Sequence, residues 1–130
     1  MEIKVIHPPE IRSWWAFVKP GLESILRKSP EDWIPEDVYA SCLNGGAMLW
    51  VLVDENKPVG FWVIIPKGDS VHVWCAWTNA KLLDIGMELF LNTVKSSNTK
   101  YVTFDSWRKG WDRVAKKYGF RPRTWVKELI

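Results

Sequence analysis

Ser70-Val-His-Val-Trp-Cys-Ala-Trp77, then Thr78-Asn79, then Ala80-Lys-Leu-Leu-Asp-Ile-Gly86 reads as a buried strand, a short turn and the opening of an apolar helix. The first run is β-branched, aromatic or small at most positions, which suits a strand covered on both faces. From Ala80 the period changes. Leu82, Leu83, Ile85, Gly86, Leu89, Phe90 and Val94 share a broad helical face, with Lys81, Asp84, Glu88, Asn92 and Lys95 opposite. Strand ends and helix amino ends gather polar backbone groups that suit anionic ligands, so a site is expected at this junction.

Upstream, Ala47 to Val53 and Val59 to Ile65 are apolar runs separated from each other and from Ser70 by the short polar turns Asp54 to Lys57 and Pro66 to Asp69. That spacing predicts a three-stranded antiparallel meander. Downstream, Ser96-Ser97-Asn98 ends the helix, and Tyr101 to Phe104 is a further strand, parallel to its predecessor because a helical crossover separates them. A last helix from about Ser106 turns Trp107, Trp111, Val114, Ala115 and Tyr118 inward and Lys109, Asp112, Arg113, Lys116 and Lys117 outward. Gly119 caps it, and Phe120 to Leu129 reads as a final strand interrupted by Pro122.

The chain opens with a strand over Glu2 to Ile6. A helix from Pro9 then carries Ile11, Trp14, Trp15 and Val18 at helical spacing. Pro20-Gly21 is expected to break or kink it, leaving Leu22, Ile25 and Leu26 on a second piece that stops near Ser29-Pro30. Glu31 to Pro35 is a loop anchored by Trp33 and Ile34. A helix runs from Pro35-Glu36-Asp37 to Leu43 and stops at Asn44-Gly45-Gly46. The fold class is therefore α/β, one domain over residues 1–130 around a mixed sheet, in the order β-α-α-β-β-β-α-β-α-β.

Composition narrows the function classes. A chain of 130 residues with 47% apolar and 25% charged side chains has a core large enough to stand without metal or disulfide staples. Its ten tryptophans are spread over nearly every element, which argues for a tryptophan-rich core more than for one stacking platform. Two cysteines, Cys42 and Cys75, are too few for a metal cage, so no metal is expected; they read as buried free thiols of a reducing cytoplasm. No window has the run of about 18 apolar residues that a membrane span needs. Residues 107 to 130 carry eight basic side chains against Asp112 and Glu128, a net of +6; the overall +3 then leaves −3 for the first 106 residues. Such a basic end fits an anionic partner, an acidic protein surface, or simply a solvated helix face.

The element order, Asp84-Ile-Gly86 opening a helix, and Tyr118-Gly119-Phe120 near the end together resemble the GNAT (Gcn5-related N-acetyltransferase) superfamily. Trp50-Val51, His72-Val73-Trp74 and the run from Arg108-x-Gly-Trp111 to Gly119-Phe120 are most similar to small tryptophan-rich GNAT-like proteins of tailed bacteriophages. The resemblance implies acetyl-CoA held at the strand-to-helix junction by Cys75, Trp77, Lys81, Asp84, Ile85 and Gly86. Two positions depart from the superfamily pattern. Asp84 takes the place of a glycine where a pyrophosphate approaches backbone, and like charges about 4 Å apart oppose binding by about 1–4 kcal/mol. Ala115 stands where many members have the tyrosine that protonates the departing thiolate; Tyr118 lies three residues further on.

Four side chains are candidates for chemistry. His72 on the central strand has the pKa range of a general base, or is a packed structural histidine. By strict alternation it shares a face with Trp74 and Ala76 rather than with Cys75. Asp105 and Ser106 end the next strand, where open sheets keep their sites, or they cap the last helix. Tyr118 is the displaced counterpart of the missing acid. Asp84 and Ala115 favour a non-catalytic GNAT-like phage protein of the host cytoplasm or virion, which binds another protein of the virion or host during assembly. The alternatives are an acetyl-CoA-dependent N-acetyltransferase acting on a protein or small-molecule amine, and nucleic-acid binding through the basic carboxy-terminal face.

Overall fold

The computed structural model describes residues 1–106 and 110–130. Five strands, β1 (Glu2–Ile6), β2 (Met48–Asp54), β3 (Lys57–Lys67), β4 (Ser70–Thr78) and β5 (Tyr101–Phe104), form one sheet in sequence order. Strands β1 to β4 are antiparallel, and β5 runs parallel to β4. Helices α1 (Ile11–Lys28) and α2 (Pro35–Asn44) precede the meander; α3 (Leu83–Lys95) crosses from β4 to β5, and α4 (Trp111–Lys117) follows β5. Short 3-10 turns, Pro8–Glu10 and Ala80–Leu82, lead into α1 and α3.

Local chemistry explains most of these boundaries. Glu55 and Asn56 both adopt positive φ (50° and 65°) between the paired Asp54 and Lys57. A two-residue turn with both residues left-handed matches the twist of a tight hairpin. Gly45 ends α2 in the left-handed conformation at φ 86°, and the Asp37 carboxylate accepts from the backbone N–H of Ile34 at the other end of that helix. The turn after β3 also braces β5, because the Asp69 carbonyl accepts from the N–H of Lys100 at 2.8 Å.

Helix α1 does not break at Pro20-Gly21; it continues to Lys28. Pro20 is exposed, so its missing N–H frees a carbonyl beside water, while Val18, Gly21 and Leu22 bury one face against the sheet. Gly21 is what lets the helix lie so close. A Cβ there would sit 2.5 Å from Phe61 Cε2 and 3.3 Å from Trp77 Cγ. Packing has overridden propensity.

Two further expectations change. Trp33 is buried and anchors its loop, but Ile34 is exposed. The strand expected over Phe120 to Leu129 is absent: residues 121–130 have no regular structure and are exposed, with Trp125 at 91% of full exposure. The last helix begins at Trp111 rather than about Ser106, and Trp107, Arg108 and Lys109 lie outside the described residues.

The sheet carries a core on each face. On one side Ile11, Val18, Leu22, Val38 and Cys42 of α1 and α2 meet Leu49, Val51, Phe61, Val63 and Cys75. On the other, Phe90 and Val94 of α3 meet Trp50, Leu52, Trp62, Ile64 and Val71. The Trp62 and Phe90 rings stack with centroids 4.8 Å apart. Gly86 brings α3 down onto the sheet, since a Cβ there would lie 3.2 Å from Leu52 Cδ2. Ile85, assigned to this apolar face by spacing, points to solvent instead. No helix among the described residues is long and apolar enough to cross a membrane.

Candidate functional site

Strand β4 pairs with β5 only as far as Val73 and Phe104. Beyond that point β4 continues to Thr78 along β3, while the chain leaves β5 at Asp105, so the two strands part. A β-bulge sits where they separate. Val63 faces Cys75 and Ile64 faces Val73, so Trp74 has no residue opposite it. One inserted residue changes the parity of the strand. His72, paired with Ile65, therefore lies on the α1/α2 face with Cys75 and Trp77, and Ala76, paired with Trp62, lies on the α3 face with Val73. This corrects the strict alternation that joined His72 to Ala76 and separated it from Cys75.

The parting of the strands opens a cleft of about 470 Å3. Residues Val73 to Thr78 of β4 form its floor. Ser24, Lys28, Ser29, Glu31 and Trp33 form one wall, from α1 and the loop after it. Leu83, Gly86 and Met87 of α3 and Trp111, Val114 and Phe120 around α4 form the other, with Phe104, Asp105 and Ser106 at the end of β5. Trp74 and Trp77 line the cleft without filling it. Trp74 packs edge-on to Trp33 with centroids 6.4 Å apart, and Trp77 stacks on Phe61 at 6.5 Å and 24°.

Asp84, in the first turn of α3, is not an isolated negative charge. Its Oδ1 accepts from Lys117 Nζ at 2.9 Å and from the Tyr118 hydroxyl, both brought up by the end of α4. The Tyr118 and Lys117 hydrogen bonds hold the Asp84 carboxyl below the usual carboxylate range. Desolvation and the same carboxylate push the Tyr118 phenol up to about 12. The contact ties the amino end of α3 to the carboxy end of α4 across the outer wall of the cleft.

His72 sits just below the bulge. Its Nδ1 is 2.8 Å from Thr103 Oγ1, and its Nε2 is 3.8 Å from Asp105 Oδ2. Partial burial holds its pKa below the ordinary histidine value; the Asp105 carboxylate opposes that shift and Lys67 adds to it. The ring is therefore neutral near pH 7. Both cysteines are free and buried. Burial pushes the Cys42 thiol up to about 11 and the Cys75 thiol well above its ordinary value, with Cys42 and Glu31 contributing at Cys75. Cys75 thus presents a protonated thiol to the cleft.

The structure gathers Cys75, Trp77, Gly86, Asp105 and Ser106 around one cleft. His72 stands behind it, within reach of Asp105. Asp84 and Tyr118 meet each other outside the lining, and Lys81 and Ile85 are exposed at the amino end of α3, where the Asn79 side chain accepts from the Lys81 N–H at 3.1 Å. Ser29 and Glu31 escaped the sequence reading. The only signal for them was an acidic side chain beside Trp33 in a loop, and nothing local tells which strand that loop overhangs. Among the described residues no group of three or more His, Cys, Asp or Glu side chains is placed to hold a metal ion.

No protein-family model matches the chain, and no curated protein sequence matches it. Solved structures do. The chain is similar to a ribosomal-protein-alanine N-acetyltransferase from Brucella melitensis biovar Abortus at 11% identity and TM-score 0.66, over 100% of this chain and 99% of that one. It is similar to a probable acetyltransferase at 10% identity and TM-score 0.70, over 100% and 96% of the two chains. An aminoglycoside N-acetyltransferase in complex with CoA matches at 12% identity and TM-score 0.60, over 99% and 98%. At such identities the likeness establishes the fold, which is a GNAT-like α/β domain.

Proposed function

We propose that this protein is an acyl-CoA-dependent N-acetyltransferase whose donor and acceptor meet in the cleft between β4 and β5. The observation that carries the reading is that the cleft is open, with Trp74 and Trp77 packed back against Trp33 and Phe61. Beyond Val73, β4 has a ladder partner on its β3 side and the cleft on the other. An extended amide-bearing chain such as the pantetheine arm of CoA fits such an edge as an added strand does. The exposed Lys81 and the first turn of α3 would face its phosphates. Bound acetyl-CoA supplies the activated acetyl group.

The case for a non-catalytic protein is Asp84, Ala115 and the basic carboxy-terminal quarter. Lys117 supplies a counter-charge to Asp84 at 2.9 Å, which removes much of the repulsion a lone carboxylate would exert on a phosphate. Ala115 leaves the thiolate without the usual tyrosine, and Tyr118 is engaged with Asp84. On the acceptor side, Asp105 lines the cleft 3.8 Å from His72 Nε2, a route by which the amine's proton leaves the site. Titration calorimetry with acetyl-CoA, followed by release of free thiol with a panel of primary amines, tests the proposal. Saturable binding and amine-dependent thiol release are expected; no heat at millimolar acetyl-CoA overturns it.

One observation favours a second role beside the first. Trp125, Val126, Leu129 and Ile130 are all more than 80% exposed at the basic carboxy end, as in a segment that docks on another protein of the virion or host. Removing residues 121–130 is then expected to abolish partner binding and to leave acetyl-CoA binding intact.

A further inference from the structure

The wall of the cleft formed by α1 and its following loop carries a single carboxylate, Glu31, close in sequence to Trp33. Glu31 lines the same cleft as Trp33, Trp74 and Cys75, and its Oε1 accepts from the buried hydroxyl of Ser29 at 2.8 Å. That bond fixes the loop side chain in place. Its charge reaches Cys75 on the floor, where it helps to raise the thiol. Among the described residues Glu31 has no ion-pair partner, although Lys28 lines the same wall. A half-buried carboxylate without an ion-pair partner is a group that an arriving cation compensates well. The neighbouring tryptophan faces reward the same charge through cation–π attraction.

We infer that Glu31 is the specificity-determining residue of the acceptor side, and that the acceptor is a primary ammonium carried on an aromatic or apolar body. The ammonium donates to Glu31, and the body packs against Trp33 and Trp74. The same carboxylate disfavours polyanionic acceptors at this position. The assignment of this wall to the acceptor rests on the acetyltransferase reading above. The preference for a cation does not.

The test uses the full chain and two probes of one shape, tryptamine and its uncharged counterpart tryptophol, titrated by calorimetry with and without acetyl-CoA. Wild type is expected to bind tryptamine about tenfold or more tightly than tryptophol, the discrimination that a charge-assisted hydrogen bond in a sheltered site provides. Glu31→Gln, which keeps the shape and an acceptor for Ser29, is expected to bring the two probes within about twofold of each other while acetyl-CoA affinity stays unchanged. A circular-dichroism melt confirms that the variant is folded. Equal binding of the two probes by wild type, or an undiminished preference in Glu31→Gln, overturns the inference. If tryptamine binding depends on Glu31 but acetyl-CoA never binds, the cation site stands and the acetyltransferase reading falls. If acetyl-CoA binds and turns over but tryptamine shows no dependence on Glu31, the reverse holds.

Discussion

The two sides of the cleft are built on different foundations. Every buried side chain of the described residues lies between Ile6 and Val94, and none from Tyr101 onward is buried. The wall contributed by α1 stands on a core that includes Val18, Leu22, Phe61 and Val63. The wall completed by α4 is held by ring contacts of Phe104 with Trp111 and Phe120, at 5.6 and 5.0 Å, and by the Asp84 contact to Lys117 and Tyr118. Regions with few buried contacts open locally at low free-energy cost. The α1 wall is therefore the better anchored of the two, and the α4 wall is the side that opens at the lower free-energy cost.

The largest test of this contrast compares two phenylalanines. Phe90 is fully buried and stacked on Trp62, so Phe90→Ala is expected to cost about 3–5 kcal/mol in urea unfolding. Phe104→Ala, on the half-buried side, is expected to cost about 1–2 kcal/mol. Equal costs would erase the contrast. Gly21→Ala comes next: the new methyl would press on Phe61 and Trp77 in the better anchored wall, for about 1–3 kcal/mol of lost stability. A neutral result would mean that this wall adjusts more readily than its packing implies.

Asp84→Asn sharpens the contrast from the other side. Its effect is expected in faster amide exchange over residues 111–120, with the global melting temperature nearly unmoved. The carboxyl is held below its ordinary range, so this contact is fully present above the usual carboxylate pKa and is lost as pH falls through the lowered value. Tyr118, raised to about 12, keeps its donated proton until strongly alkaline pH. The smallest effect belongs to His72. Its pKa is lower folded than unfolded, so the unfolded chain binds more protons in mild acid. Stability should fall as pH drops from about 6.5 toward the folded value, and His72→Gln should remove that slope. A slope that persists in the variant would assign it to another group.

Some of this was legible one residue at a time. The β1 limits, the turn over Asp54 to Lys57, the Gly45 stop and the parallel crossover through α3 all follow from short-range pattern, because turn chemistry and side-chain period act over a few residues. The tryptophan-rich core was legible too, with Trp33, Trp50 and Trp62 buried. The continuous α1 was not. A proline in mid-helix reads as a break, and only the close seat of Gly21 on Phe61 explains why the helix runs on.

What the sequence determined by itself is an α/β chain with this order of elements as far as the last helix, in a GNAT-like arrangement. What only the tertiary structure decided is how charge and face are distributed around the cleft. The bulge at Trp74 depends on pairing with β3, and it alone moves Cys75 onto the face of His72. Asp84 meets its partners 33 and 34 residues away, and Glu31 overhangs a strand more than forty residues downstream. The segment after Phe120 has the composition of a strand yet no ladder to join, since a strand exists only where a neighbour accepts its hydrogen bonds. Local pattern sets what an element can be, and long-range pairing sets which way its side chains point and what answers their charge.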